Sequence, residues 1–305
     1  MLSRFVLSQA SFIFLALMAS QNLYAAACCG GAGALPSLIT GDEKSLLNST
    51  LLQADLHTRV SNRGVWRRQN SLDQTQTFRL DFARIFQDRF QYGISAPLTS
   101  RKTESGKNAA SSGWGDLGAQ VGYEYLTDWD YHPWRPRGVG YLNLNVPAGT
   151  SKYETLEQSE IRGKGFYTMG AGTVFTKQWV RWDALAGAEL RRGFSRTFQS
   201  SVFNGNVAPG WGRTLTLGGG YHWSDIRVGG TIAWVDEDAK RISSADELPD
   251  EDSERFATGS VSVAYSANTE WSGNISYSDQ TLFGDPSNTT LSKTWSISLQ
   301  KRWSR

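Results

Sequence analysis

The chain reads as an all-β protein, a transmembrane antiparallel up-and-down β-barrel of about twelve strands, and three observations carry that expectation. The first is WVRWDALAGAELR at 179–191, which alternates along its whole length. Val180, Trp182, Ala184, Ala186, Ala188 and Leu190 leave one face and Arg181, Asp183, Gly187, Glu189 and Arg191 the other, since successive side chains of a strand point to opposite sides. The first face carries no charge, and a tilted strand of about 9 to 11 residues crosses a bilayer. The second is that such segments recur, joined alternately by short and long connections, as in barrels with tight turns at one end and loops at the other. The third is the aromatic residues near strand ends, Trp66, Trp114, Trp129, Trp134, Trp179, Trp211, Trp223, Trp234, Trp271 and Trp303, which suit interfacial girdles.

Composition is compatible with this. Of 305 residues, 39% are hydrophobic, and the mean hydropathy of -0.40 is that of a soluble chain. Lipid-facing and lumen-facing residues cancel in such averages. The formal net charge of +2 argues against a nucleic-acid partner, which needs a basic surface. Arg4, the apolar run 12–18 and the small residues at 24–27 form a secretory signal, assigned to 1–27. Residues 28–45 are then a leader and 46–305 the barrel. The only cysteines, Cys28 and Cys29, are adjacent, so no loop-closing disulfide is available. Lipidation of Cys28, a metal or thiol site, an intermolecular bridge and a flexible Gly-rich tract over 28–34 are the readings open there; Ala25 stands where a lipidation signal usually has a leucine-like residue.

Taken in order, 46–60 puts Leu46, Leu52, Ala54, Leu56 and Val60 outward and Gln53, Asp55, His57 and Arg59 inward. After a loop at 61–74, strand 75–86 turns Phe78, Leu80, Phe82 and Phe86 outward and Thr77, Arg79 and Asp81 inward. A turn holding Arg89 leads to a strand from Phe90 that Pro97 ends. A long loop to 113 precedes strand 115–126, with Glu124 inward, and 127–137 connects to 138–146. Loop 147–164, strand 165–176 and the turn at 177–178 lead to 179–191. Loop 193–211 precedes strands 213–223 and 226–234, the second placing Arg227 inward. The acidic loop 236–254, strands 255–265 and 270–277, loop 279–291 and strand 292–303 complete the count. An even number with a long first connection puts both termini in the periplasm, and the first and last strands should pair, because lipid leaves a free edge unsatisfied.

GWGDLGAQVGYEYL at 113–126, LNLNVPAGT at 142–150 and GKGFYTMGAGTVF at 163–175 resemble the MetA-pathway phenol-degradation-like outer-membrane transporter family. The resemblance covers most of the chain in layout and these three stretches in motif. It implies a twelve-stranded barrel that passes small molecules, aromatic or hydrophobic ones among them. The chain ends KRWSR rather than on an aromatic residue, so Trp303 is the candidate signal for the barrel-assembly machinery.

The candidate pore-lining residues are Asp55, His57, Arg59, Arg79, Asp81, Arg89, Glu124, Arg181, Asp183, Glu189, Arg191 and Arg227. Both signs in a narrow barrel must pair or stay hydrated. They form either an ion-paired filling or the lining of a hydrated pore whose arginine excess favours anions. The acidic loop is either solvated or a cation bridge to lipopolysaccharide, and it lacks metal-loop spacing. Of His57, His132 and His222, only His57 has a carboxylate, Asp55, on its own strand face, and no nucleophile is placed beside it. The expectation is an outer-membrane channel for passive diffusion of small molecules, without catalytic residue, metal or cofactor, with membrane lipid and lipopolysaccharide, the assembly machinery and a small solute as partners. A non-conducting barrel acting through its loops is the alternative, and a membrane hydrolase the third reading.

Overall fold

The computed structural model describes residues 37–69, 71–104, 110–244 and 249–304. The expected signal peptide, Cys28 and Cys29 lie outside the described residues. Twelve strands form the wall: β1 Glu43–Val60, β2 Asp73–Phe86, β3 Phe90–Thr103, β4 Leu117–Leu126, β5 Arg137–Val146, β6 Thr168–Gln178, β7 Trp182–Gly193, β8 Trp211–Trp223, β9 Ile226–Glu237, β10 Glu254–Ser266, β11 Trp271–Asp279 and β12 Thr289–Ser304. Each pairs antiparallel with its neighbours in sequence, and β12 pairs with β1 from Glu43↔Ser304 to Val60↔Thr289, closing the sheet. Closure leaves no free edge of backbone N–H and C=O groups.

The tight connections, such as Gln87 and Asp88 with φ of 50° and 61°, lie at one end, here the turn end; the long ones define the loop end. The outer face is apolar: Leu51, Phe78, Ile94, Val121, Leu142, Leu190, Leu215, Val228, Val263, Ile275 and Ile297 are all exposed. Such a belt is an aggregation liability in water and the natural surface of a barrel in lipid. Trp223, Trp271 and Trp303 mark the turn end and Trp114, Trp211 and Trp234 the loop end, with Lys301 lying over both Trp271 and Trp303.

Two departures from the expected layout have local causes. Strand β3 runs through Pro97 to Thr103, because the neighbouring strand is interrupted there. Ala110–Trp114 pairs with the upper half of β3 and β4 with the lower half, so the missing N–H of Pro97 breaks no ladder, while Gly115 N donates to Pro97 O. The loops at 194–210 and 238–253 are also not plain connections. Arg196–Gln199, Asn204–Ala208 and Arg241–Ser244 form a second sheet above the barrel. Beneath it Tyr153, Phe166, Phe198, Phe203 and Val207 pack as a buried cluster.

Candidate functional site: a charged lumen narrowed at one end

Residues 37–42 do not trail away from β1; they turn into the lumen at the turn end. Leu38 packs among Val139, Tyr141, Val174 and Leu185 of β5, β6 and β7. Ile39 packs on Leu46, Ala83 and Ile85 of β1 and β2. Polar partners hold the backbone. Ile39 N donates to Gln91 Oε1 at 2.7 Å and Ile39 O accepts from Gln91 Nε2 at 3.3 Å. Gln120 Nε2 donates to Ser37 O, and Arg137 Nη1 to Thr40 O and Gly41 O at 2.9 and 2.7 Å. Leu38 and Ile39 are 4% and 0% exposed, so this segment is core, not linker. Burying the two side chains contributes roughly 3–6 kcal/mol toward keeping it inside.

The candidate lumen residues sort by place. Arg79 Nε meets Asp81 Oδ2 at 2.9 Å in mid-wall. Near the turn end Glu124, 2% exposed, accepts from Arg137 Nη2 at 2.6 Å. There too Asp183 accepts two bonds of 2.7 Å from Arg227 and contacts His222 Nε2 at 2.7 Å. Gly220 and Gly229 flank that guanidinium so closely that a Cβ at either would stand 2.6 or 2.4 Å from it. Toward the loop end Glu189 accepts from Tyr141 Oη and Asn143 Nδ2 at 3.0 and 2.7 Å, and Arg191 reaches Glu237 Oε1 at 2.6 Å. In low dielectric these groups stay charged only by pairing in this way.

Five candidates lie elsewhere. Strand β1 is turned the other way from the expectation. Leu47 and Leu51 are exposed, while Leu46 is 4% exposed and faces the inserted segment. Asp55 therefore stands on the outer face, paired with Lys293 and Gln74 and accepting from Gln74 Nε2 at 2.8 Å. His57 is exposed at a register shift between Leu56 and Thr58. That extra residue inverts the alternation beyond it, so Arg59, alone of the three, comes round to line a cavity. Arg89 sits in a turn with its guanidinium 5.2 Å from the Trp129 ring. Arg181 lies in the turn before β7 and donates to Tyr221 Oη, at the outer rim rather than in the lumen. The expected face of β1 failed because its leucines occupy both faces, Leu46 serving the segment at 37–42 and Leu56 lining a cavity at the loop end.

The acidic loop is not free, and among the described residues no carboxylate cluster could hold a metal. Glu251 accepts from Lys152 Nζ and Tyr153 Oη, both at 2.7 Å, and meets Lys240 Nζ at 3.2 Å. Burial acts to raise its carboxyl, but the Lys152 hydrogen bond, the Lys240 charge and the Tyr153 hydroxyl outweigh burial and hold it below the ordinary carboxylate range. Asp246 and Glu247 lie outside the described residues.

The three motif stretches of the sequence meet at one point. Asp116 accepts from Gly149 N at 3.2 Å and Lys164 N at 2.8 Å. A Cβ on Gly163 would stand 2.2 Å from the Asp116 carboxylate, and one on Gly149 2.9 Å from the Arg162 backbone. The Gly-Asp pair, the Pro-x-Gly and the Gly-Lys-Gly are thus one junction, pinning loop 147–167 to the interruption in the wall. Burial raises the Asp116 carboxyl against the two backbone donors.

Arg137, Gln91, Gln120, Tyr141, His222 and Glu237 complete the lumen network and are absent from the sequence candidates. Alternation alone would have placed all but Arg137 and Glu237 on inner faces; Arg137 opens β5 at the edge of the connection before it, and Glu237 closes β9 where the acidic loop was expected.

No family model matches the chain and no curated protein does. Solved structures do. The COG4313 outer membrane channel from Pseudomonas putida F1 superposes with a TM-score of 0.71 at 11% identity, covering 90% of this chain and 99% of that one. The transport unit of the autotransporter AIDA-I from Escherichia coli follows at a TM-score of 0.53 and 10% identity, covering 89% and 93%. The likeness shows the fold: a closed twelve-stranded antiparallel barrel of the kind found in outer-membrane proteins.

Proposed function

We propose that the protein is an outer-membrane channel through which small molecules diffuse without an energy source, its turn end and both termini in the periplasm and its loop end outside. The observation that carries this reading is the pairing of an uninterrupted apolar belt outside with a polar, ion-paired lumen inside. A barrel that served only as an anchor needs the belt and not a charged interior. The segment at 37–42 narrows the path at the periplasmic end, so the wild-type conductance should be small. Aromatic cargo rests on the family resemblance; the lumen itself offers polar groups. Planar-bilayer recording tests the reading. Arg191→Glu should shift the reversal potential toward cations, while Arg181→Glu, at the rim, should leave it unchanged. Identical reversal potentials for wild type and Arg191→Glu would remove Arg191 from the conduction path. The second reading, a non-conducting barrel that works through its loops, is favoured by the ordered sheet above the mouth, and absence of any conductance from folded protein would select it.

A further inference from the structure

Four arginines outside the lumen network gather in one place. Beside the loop sheet, at the loop end of β1, β2, β3 and β12, lies a cavity of about 360 Å³ whose lining includes Arg59, Arg67, Arg68, Arg101, Asp73 and Gln158. Arg101 is neutralised there, bonded through Nε and Nη2 to both oxygens of Asp73 at 2.9 and 2.7 Å. Gln158 Nε2 also donates to Asp73 Oδ2, at 3.0 Å, so the one carboxylate lining the cavity among the described residues is spoken for. Arg59, Arg67 and Arg68 have no ion pair among the described residues.

Their placement is built, not incidental. Trp66–Arg68 folds back on β1 as a short strand, with Arg59 directly opposite Arg67 and Thr58 opposite Arg68, and Gln69 N donates to His57 O at 2.8 Å to hold it there. Like charges directly opposed across an antiparallel pair are destabilising. The register shift at His57 is what turns Arg59 to the cavity side. A backbone irregularity and a cross-strand pairing thus combine to set two guanidinium groups against each other over an opening large enough for a small ligand. An anion between them converts that repulsion into charge-assisted, bidentate hydrogen bonds, for which the planar guanidinium is suited.

We propose that this vestibule is a binding site for the oxyanion, a carboxylate or phosphate, of a small solute, held by Arg59, Arg67 and Arg68. This deepens the channel reading by naming the solute class captured at the outer mouth, but binding itself does not depend on conduction.

The test is calorimetric titration of the refolded full chain in detergent with sodium benzoate, inorganic phosphate and, as a neutral control, benzyl alcohol. Arg59→Ala with Arg67→Ala, the opposed pair, is the variant, with heat-modifiable gel mobility confirming that it is folded. The proposal expects saturable binding of at least one anion, none of benzyl alcohol, and an affinity loss of about tenfold or more in the variant. Arg59→Lys with Arg67→Lys keeps the charge and loses the fork, and should recover only part of the affinity. Equal binding by the alanine variant, or benzyl alcohol binding as tightly as benzoate, overturns the proposal. So does binding confined to vesicles containing lipopolysaccharide, which would make the ligand a lipid phosphate. Bilayer recording on the same samples separates the two readings. Anion binding without conductance keeps the site and removes the channel, whereas conductance without anion binding removes the site alone.

Discussion

The Asp183–Arg227 pair offers the sharpest test of how the lumen is held. Asp183 and Arg227 are 4% and 7% exposed and joined by two bonds of 2.7 Å, with His222 as the third member. Arg227→Leu removes the guanidinium and leaves a carboxylate inside the wall with only the imidazole beside it. Removing one partner of a buried pair costs about 3–5 kcal/mol, whereas replacing both by apolar groups of similar volume is often close to neutral. At a urea slope of about 3 kcal/mol/M, the single variant should lower the unfolding midpoint by roughly 1 M or more. Arg227→Leu with Asp183→Leu should return most of it. The assay is urea unfolding of the refolded barrel in lipid vesicles, followed by tryptophan fluorescence. A single variant with the wild-type midpoint would mean that the buried charges are not held by each other, as would a double variant that loses the sum of the two singles.

Other parts of the molecule give tests of their own. Asp116→Ala strips the acceptor from Gly149 N and Lys164 N and should expose 147–167 to limited proteolysis while the barrel stays folded; an unchanged digestion pattern would mean that the junction is dispensable. Glu251 is held below its ordinary value of 4.5 by its partners, so its contribution to the loop sheet is complete above that pH and is lost as pH falls through the lowered folded value. Hydrogen-exchange protection over 150–156, corrected for intrinsic rate, should thus begin to drop as pH falls below 4.5, and Glu251→Gln should show the same loss at pH 7. On β1, Leu51→Arg on the lipid face should cost about 2–4 kcal/mol by urea unfolding in vesicles, whereas Asn48→Leu, on the lumen face, should leave vesicle insertion of the barrel intact; equal insertion and equal midpoints for both variants would contradict the assigned faces.

The wall was legible because lipid imposes strict alternation: β2, β5, β7, β9 and β12 show the expected faces, and Arg79, Asp81, Glu124, Asp183, Glu189, Arg191 and Arg227 point inward as their parity requires. Legibility failed wherever the lumen is itself apolar. Leu46 and Leu185 are buried against Ile39 and Leu38, so β1 carries apolar residues on both sides and its parity gives no answer. The segment that causes this, LITGD at 38–42, is too short to show a period of its own. Arg59 reaches the cavity side only through a one-residue register shift, which leaves no mark in composition. Arg181 was misplaced by extending alternation into a turn, whereas Arg89, read in a turn, packs against the Trp129 ring. The loop sheet was missed because its strands are four or five residues long and pair across different loops.

A channel narrowed by its own N-terminal segment is tested most directly by single-channel conductance of the folded wild-type barrel beside a variant lacking residues 37–42. Removing the segment takes Leu38 and Ile39 out of the periplasmic end and frees Gln91, Gln120 and Arg137. The wild type should give small discrete steps and the variant clearly larger ones. Equal conductance, or silence from both folded proteins, would contradict the proposed channel.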